Sequence, residues 1–371
     1  MSGPGAPRIA VLGIGLIGGS IGLAARARLG AAVVGFDPDP GTREAALAKG
    51  AVDSAVDSVA VACEGAEIVF CAAPVGRLPA LAATALAAAG PDTAVSDVGS
   101  TKREIVAAVG GDRRFVGGHP LAGAETAGVA NASADLFAGA RWYLTPTEGC
   151  DGLLYDRLQR AVAGIGARPE AIDPATHDHL MATVSGMPHA VANVLVAEAA
   201  ADLTGGERVP EVGPSFRDAT RVAGSNPAIW ADIFTANRDA VADSVEAVAR
   251  RLGEAATLIR AGDTEAISAW HAAAGEDRRR LLEAERPDGP LIELRIVVAN
   301  RPGTMATLAL ALGEAGVNIE DMALHPAPDM TSGAVSLWVA GAEQAERGAA
   351  LVRELGHAVT VVDAGDRPPG R

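Results

Sequence analysis

Cysteine is scarce in this chain of 371 residues, occurring only at Cys63, Cys71 and Cys150. Three thiols are odd in number and no two form a C-x-x-C pair, which argues against a disulfide framework or a paired-thiolate metal site and points to a reduced, cytoplasmic protein. Positive charge is also in short supply. With 31 Lys and Arg against 46 Asp and Glu the net charge is −15, which speaks against a nucleic-acid or anionic-membrane partner and obliges any anionic ligand to find a local cationic pocket. Lysine itself occurs only at Lys49 and Lys102. No apolar run approaches the ~18 residues of a membrane span, and the Ala-rich stretch Pro79–Gly90 reads as a short buried helix. Met1–Pro7 lacks the basic-then-apolar order of a signal peptide. What the chain has in quantity is apolar residues, 49% of the total, enough to bury large cores in two or three domains.

The most informative stretch is IAVLGIGLIGGSIG, Ile9–Gly22. A β-rich run, Ile9 to Leu12, enters Gly13-Ile14-Gly15-Leu16-Ile17-Gly18, and an Ala-rich helical segment follows. Gly13 permits the tight strand-to-helix turn, Gly15 has no Cβ to block a pyrophosphate, and Gly18 lets the helix pack close to the strand. A second strand, Ala32–Phe36, ends in Asp37, about 20 residues on, where a carboxylate accepts hydrogen bonds from ribose hydroxyls and repels a 2′-phosphate. The reading is a dinucleotide site for NAD.

Strand and helix then alternate, as in a Rossmann-type doubly wound α/β sheet. Ala66–Ala73 is a continuous apolar run suited to a strand buried on both faces, and Ala73 and Pro74 fall at its carboxyl end, where nucleotides dock. Thr93–Asp97 is the next strand, placing Asp97, Ser100 and then His119 at the same edge as Gly13. His119, between Gly118 and Pro120, is suited to proton transfer. Lys102 receives no role. Arg141–Pro146 reads as a late strand and Leu153–Ile165 as the helix closing a first domain, residues 1–172.

Strands then cease, and helical patterns fill a second domain, 173–287. His177-Asp178-His179 could suggest metal, but positions i and i+2 of a helix point apart and no third ligand is evident, so no metal is assigned. Pro188 would kink a helix so that Ser185 and His189 turn to one side. From Asn226 a single long amphipathic helix is expected, with a stripe Ile229, Ile233, Val241, Val245, Val248, Leu252 and Ile259 that needs a partner helix; a homodimer follows. After the linker Arg286–Pro290, strands and helices return in the order βαββαβ over 288–371, a ferredoxin-like domain.

With these residues in hand, the chain resembles the TyrA family, the prephenate and arogenate dehydrogenases of tyrosine biosynthesis. The resemblance rests on GIGLIGGS, DVGSTK, FVGGHPLAG with Glu125, VSGMPHA and FRDATRVAGSNPAIW, in that order. The segment ANRPGTMATLALALGEAGVNIEDM resembles an ACT domain. The resemblance implies that His119 draws the proton of the ring C4 hydroxyl as hydride leaves for NAD, with Ser100 supporting the same hydroxyl. It implies that Arg221 grips the ring carboxylate, and that Ser185 and His189 surround the pyruvyl side chain. Glu125 and Arg217 would line or gate the entrance, and Trp230 would form part of the helical wall. A tyrosine-like effector would bind near Asn300, Pro302, Gly303, Asn318 and Ile319. The substrate is then prephenate, or arogenate with an amino group in place of the keto oxygen; a non-catalytic sensor of NAD and an amino acid is a third reading. A dehydrogenase of small β-hydroxy acids would use a lysine on the helical domain, and the chain has none after Lys102.

Overall fold

The structure is a computed structural model, which describes residues 6–123, 126–201, 213–283, 291–299, 301, 303–326 and 332–363. The chain divides into two compact units, residues 1–253 and 254–371.

The first unit is built on eight strands: β1 (Arg8–Leu12), β2 (Ala32–Phe36), β3 (Ser54–Val56), β4 (Ile68–Cys71), β5 (Ala94–Asp97), β6 (Phe115–Pro120), β7 (Arg141–Thr145) and β8 (Arg168–Ala171). Their order is β3-β2-β1-β4-β5-β6-β7-β8, parallel throughout except between β6 and β7. The first six reproduce the 3-2-1-4-5-6 order of a doubly wound sheet. Alternation along β1 shows why both faces are apolar. Ile9 and Val11 join Phe70, Trp142 and Leu144 on one side, while Ala10 and Leu12 join Val69, Leu78 and Val95 on the other. Helices α1 (Leu16–Ala24), α2 (Pro40–Lys49), α3 (Val59–Cys63), α4 (Leu78–Ala88), α5 (Arg103–Ala108) and α6 (Gly152–Gly164) accompany the sheet. Ala51-Val52-Asp53 reads in the sequence as a short strand or turn, and the third strand begins just after it, at Ser54–Val56. The short β8, reading RPEA, carries no apolar alternation and contains Pro169, which only an edge position tolerates.

Six further helices follow: α7 (Pro174–Met181), α8 (Met187–Ala201), α9 (Pro214–Thr220), α10 (Pro227–Ala236), α11 (Arg238–Ala261) and α12 (Thr264–Glu283). Asp173 caps α7, its carboxylate accepting from the Ala175 and Thr176 N–H groups. Instead of the kink expected at Pro188, a π-helical turn at Ala182–Gly186 joins α7 to α8. Proline has no N–H to donate back to Val184, and the wider turn ahead of it absorbs the mismatch. Residues Pro174–Ala201 thus run as one helix of 28 residues, whose most apolar window has a mean hydropathy of 1.4; by length and composition it is long enough to cross a membrane. Thr183, Ser185, His189 and Asn193 interrupt every apolar run within it. The long helix expected from Asn226 is also two helices. The chain leaves helical geometry at Asn237, with φ −127°, between α10 and α11.

Within the second unit, β9 (Leu291–Ala299), α13 (Thr304–Glu314), β10 (Asp321–Pro326), β11 (Ser332–Ala340), α14 (Ala342–Glu354) and β12 (Ala358–Asp363) form an antiparallel sheet of order β10-β11-β9-β12. One face of β9, Ile292, Leu294, Ile296 and Val298, packs with Leu308 and Leu312 of α13 and Ala345, Ala349 and Val352 of α14.

Candidate active site

The glycine turn after β1 forms a cradle. Gly13 has φ +97°, and a Cβ there would overlap the Ala72 carbonyl. A Cβ at Gly18 would overlap the Gly13 carbonyl, so α1 lies directly on the strand end. Gly15, at the N-terminus of α1, has no atom within 4 Å of where its Cβ would stand. The three glycines therefore divide into two that close the turn and one that leaves room above it. The Ile14 N–H donates to Asp37 Oδ2 at 3.0 Å, fixing the carboxylate against the Ile14-Gly15-Leu16-Ile17 segment. Ala73 and the exposed Pro74 flank the same edge, past the end of β4. Free N–H groups at a helix start, a carboxylate at the end of the second strand and open space over Gly15 fit a dinucleotide pyrophosphate and ribose.

Asp97 is a correction. Expected at the cofactor, it is fully buried, and its carboxylate is occupied by Lys102 Nζ and by the N–H groups of Gly99 (2.7 Å) and Gly118 (3.2 Å). Lys102 is fully buried as well, its ammonium also donating to the Gly118 carbonyl at 2.6 Å. Burial pulls the Lys102 pKa down, against the opposing pull of Asp97 and Asp178. The ion pair pins the end of β6, where His119 begins its own contacts.

His119 Nδ1 lies 2.9 Å from His177 Nε2, and His177 Nδ1 lies 2.8 Å from Asp178 Oδ1. Both rings sit edge to face, 5.1 Å apart, and Tyr143 meets His177 from β7 at 5.6 Å. Asp178 also accepts from the backbone N–H groups of Lys102 (2.7 Å) and Arg103 (2.9 Å), so it caps α5, while Asn237 Nδ2 donates to its carbonyl at 2.7 Å. Burial above all, then the charges of His177 and Lys102, holds the His119 pKa well below the usual 6.5. The imidazole is neutral and its Nδ1 is engaged. Ser100, partly exposed, stands between β5 and α5.

A second cluster stands on the helices. His189 stacks on Trp230 with ring centroids 3.4 Å apart, and its Nδ1 lies 2.9 Å from the Ser185 carbonyl. Its pKa is lowered by burial and by the Arg221 charge, against the Ser185 contact. Thus Ser185, His189, Trp230 and Arg221 share one neighbourhood. α10, which carries Trp230, packs on the turn Val75–Arg77 just past Pro74, beside the carboxyl ends of the strands. Arg217 is exposed on α9. Glu125, Asn300 and Pro302 lie outside the described residues. Gly303 opens α13 with φ +87°; Asn318 is exposed, its N–H donating to Gln344 Oε1 and its side-chain amide to Glu320 Oε1, and Ile319 packs on the domain core.

Sequence reasoning missed Lys102, His177 and Asp178. The Asp97–Lys102 spacing was visible, but nothing local announces a contact from His119 to a residue 58 positions later.

The fold and the cradle define a nucleotide-binding dehydrogenase, with NAD as its cofactor. Residues 21–171 match the prephenate dehydrogenase nucleotide-binding domain and residues 173–272 the prephenate dehydrogenase dimerization domain. The chain is 30% identical over 322 residues to a prephenate dehydrogenase of Bacillus subtilis, covering 85% of this chain and 87% of that protein. It is similar in structure to prephenate dehydrogenase from Aquifex aeolicus in complex with hydroxyphenyl propionate and NAD+, with a TM-score of 0.70 and 28% identity over 76% of this chain and all of that one. It is also similar to a Synechocystis arogenate dehydrogenase, with a TM-score of 0.65 and 28% identity over 74% and 99% of the two chains. The chain belongs to the prephenate dehydrogenase family.

Proposed function

We propose that the chain catalyses the NAD-dependent oxidative decarboxylation of prephenate to 4-hydroxyphenylpyruvate, with His119 as its general base. The observation that carries the assignment of the base is the buried, neutral imidazole of His119 at the carboxyl edge of the sheet that holds the glycine cradle. NAD, when bound, would supply the hydride acceptor for ring C4, and Gly13–Gly18 and Asp37, with Ala73 and Pro74 at the same edge, are the residues that would hold it. His119 accepts the proton of the C4 hydroxyl, supported by Ser100, and C4 becomes a carbonyl. The bond from C1 to the carboxylate then breaks, its electron pair restores the aromatic ring, and CO2 leaves. His119 returns its proton to the phenolate, so the turnover releases no net proton. Arg221 grips the ring carboxylate by charge-assisted hydrogen bonds, and the His189–Trp230 stack with Ser185 borders the pyruvyl side chain. Arg217 and Glu125 belong to the entrance.

Ser185 and His189 present neutral or basic groups where arogenate would place an ammonium, which favours prephenate. Side-by-side initial rates of NADH formation with prephenate and arogenate, each with NAD and NADP, test this; faster turnover of arogenate would reverse the preference.

Three segments divide the work: 1–172 binds the dinucleotide, 173–287 the substrate and a second subunit, and 288–371 acts as an ACT domain. The half-exposed Val194 and Leu195 on α8, within the dimerization match, would be covered in a cytoplasmic homodimer. A tyrosine-like effector near Gly303, Asn318 and Ile319 would regulate the enzyme.

A further inference from the structure

We propose that His177 and Asp178 are positioning residues that set the tautomer of His119 and share the charge it acquires. The inference rests on His119 being the base of the reaction above. As a carboxylate Asp178 can only accept, so His177 must carry its hydrogen on Nδ1, at 2.8 Å, and present the Nε2 lone pair. That lone pair faces His119 Nδ1 at 2.9 Å, so His119 in turn carries its hydrogen on Nδ1. The lone pair of His119 is left on Nε2, the nitrogen free to meet the substrate hydroxyl. An unconstrained histidine prefers the opposite form, with hydrogen on Nε2 and nothing there to accept a proton.

When the hydroxyl proton moves to His119 Nε2, the Nδ1 hydrogen shifts toward His177 Nε2 and the His177 Nδ1 hydrogen toward Asp178. One proton enters the row, one positive charge is spread along it, and the sum with the carboxylate is zero. The reverse shift delivers the proton back to the phenolate.

The surroundings keep the row in place. Asp178 is anchored through the Lys102 and Arg103 N–H groups and through Asn237, at the break between α10 and α11. Tyr143 limits the rotation of the His177 ring. The charged groups facing the row are the Lys102 ammonium, paired with Asp97, and Arg103, Glu104, Arg238 and Asp239, which line a cavity of about 330 Å³ at Asp178. This arrangement accounts for a histidine and an aspartate buried to 0% and 1% exposure at the start of a helix. No metal is required of them.

The test is nitrogen-15 NMR of the histidine side chains in the full-length wild-type protein, with the His119 signals assigned by their loss in His119→Asn. Neutral His119 is expected with its hydrogen on Nδ1; hydrogen on Nε2 overturns the proposal outright. His177→Phe keeps a ring against Tyr143 and deletes both nitrogens. It should shift His119 to the Nε2–H form and lower kcat on the order of 10²-fold or more while sparing KM. A folded His177→Phe enzyme with unchanged kcat also overturns it. If His177→Phe does not fold, the wild-type spectrum decides alone. If the wild type gives no NADH with prephenate, the assigned reaction fails, whereas the spectrum still judges the row of hydrogen bonds.

Discussion

Lys102 holds an ammonium where no water reaches it, and the structure tolerates this only because Asp97 and the Gly118 carbonyl take its hydrogens. Removing one member of such a pair leaves the other charged and unpaired. Lys102→Met should therefore cost about 3–5 kcal/mol, read as a lowered denaturation midpoint with unchanged slope. His119 imposes a pH dependence of the opposite origin. The folded chain keeps it neutral below 6.5, whereas the unfolded chain takes up a proton there. The unfolded state thus binds more protons in that window, and stability falls as pH drops below about 6.5. Urea titrations across this range should show the slope, and His119→Asn should flatten it. Arg221 is a different case: in the proposed reaction its contact with the ring carboxylate would form before any bond breaks. Arg221→Ala should raise KM for prephenate roughly 10- to 150-fold, the loss of about 1.5–3 kcal/mol, and leave kcat nearly unaltered.

Among the elements, the strand-to-helix turn separates folding from binding residue by residue. Gly13→Ala forces a side chain into a left-handed backbone and onto the Ala72 carbonyl, and should destabilise the fold by about 1–3 kcal/mol. Gly15→Val meets open space, so melting should be unchanged while NAD affinity drops on the order of tenfold or more, because the side chain occupies the pyrophosphate's place. The glycine turn was legible in the sequence, as were most strands of the nucleotide sheet, because apolar periodicity and glycine chemistry are local. Other features were not. β8 has no apolar pattern to betray it, and the helix break at Asn237 serves a carbonyl 59 residues earlier. Asp97 was placed at the cofactor because it ends a strand on the correct edge. Its burial depended on Lys102 turning inward, which spacing alone does not fix. Ser185, His189 and Arg221 stand out in the sequence through short motifs, and their neighbourhood with Trp230 needed the fold.

The whole molecule carries a nucleotide sheet, a helical region and a small antiparallel domain, the last of which is proposed above to regulate the enzyme. Truncation after residue 287 should abolish inhibition by tyrosine that is not competitive with prephenate while preserving turnover; inhibition of that kind surviving the truncation would remove the regulatory role of the last domain. The most direct measurement of the central claim is the pH dependence of prephenate-dependent NADH formation by the wild type and by His119→Asn. The wild type should lose kcat only at pH well below the ordinary histidine range, as the imidazole takes up a proton. His119→Asn should fall on the order of 10²–10⁴-fold and lose that acid limb. A His119→Asn enzyme that kept both its rate and its acid limb would contradict the account.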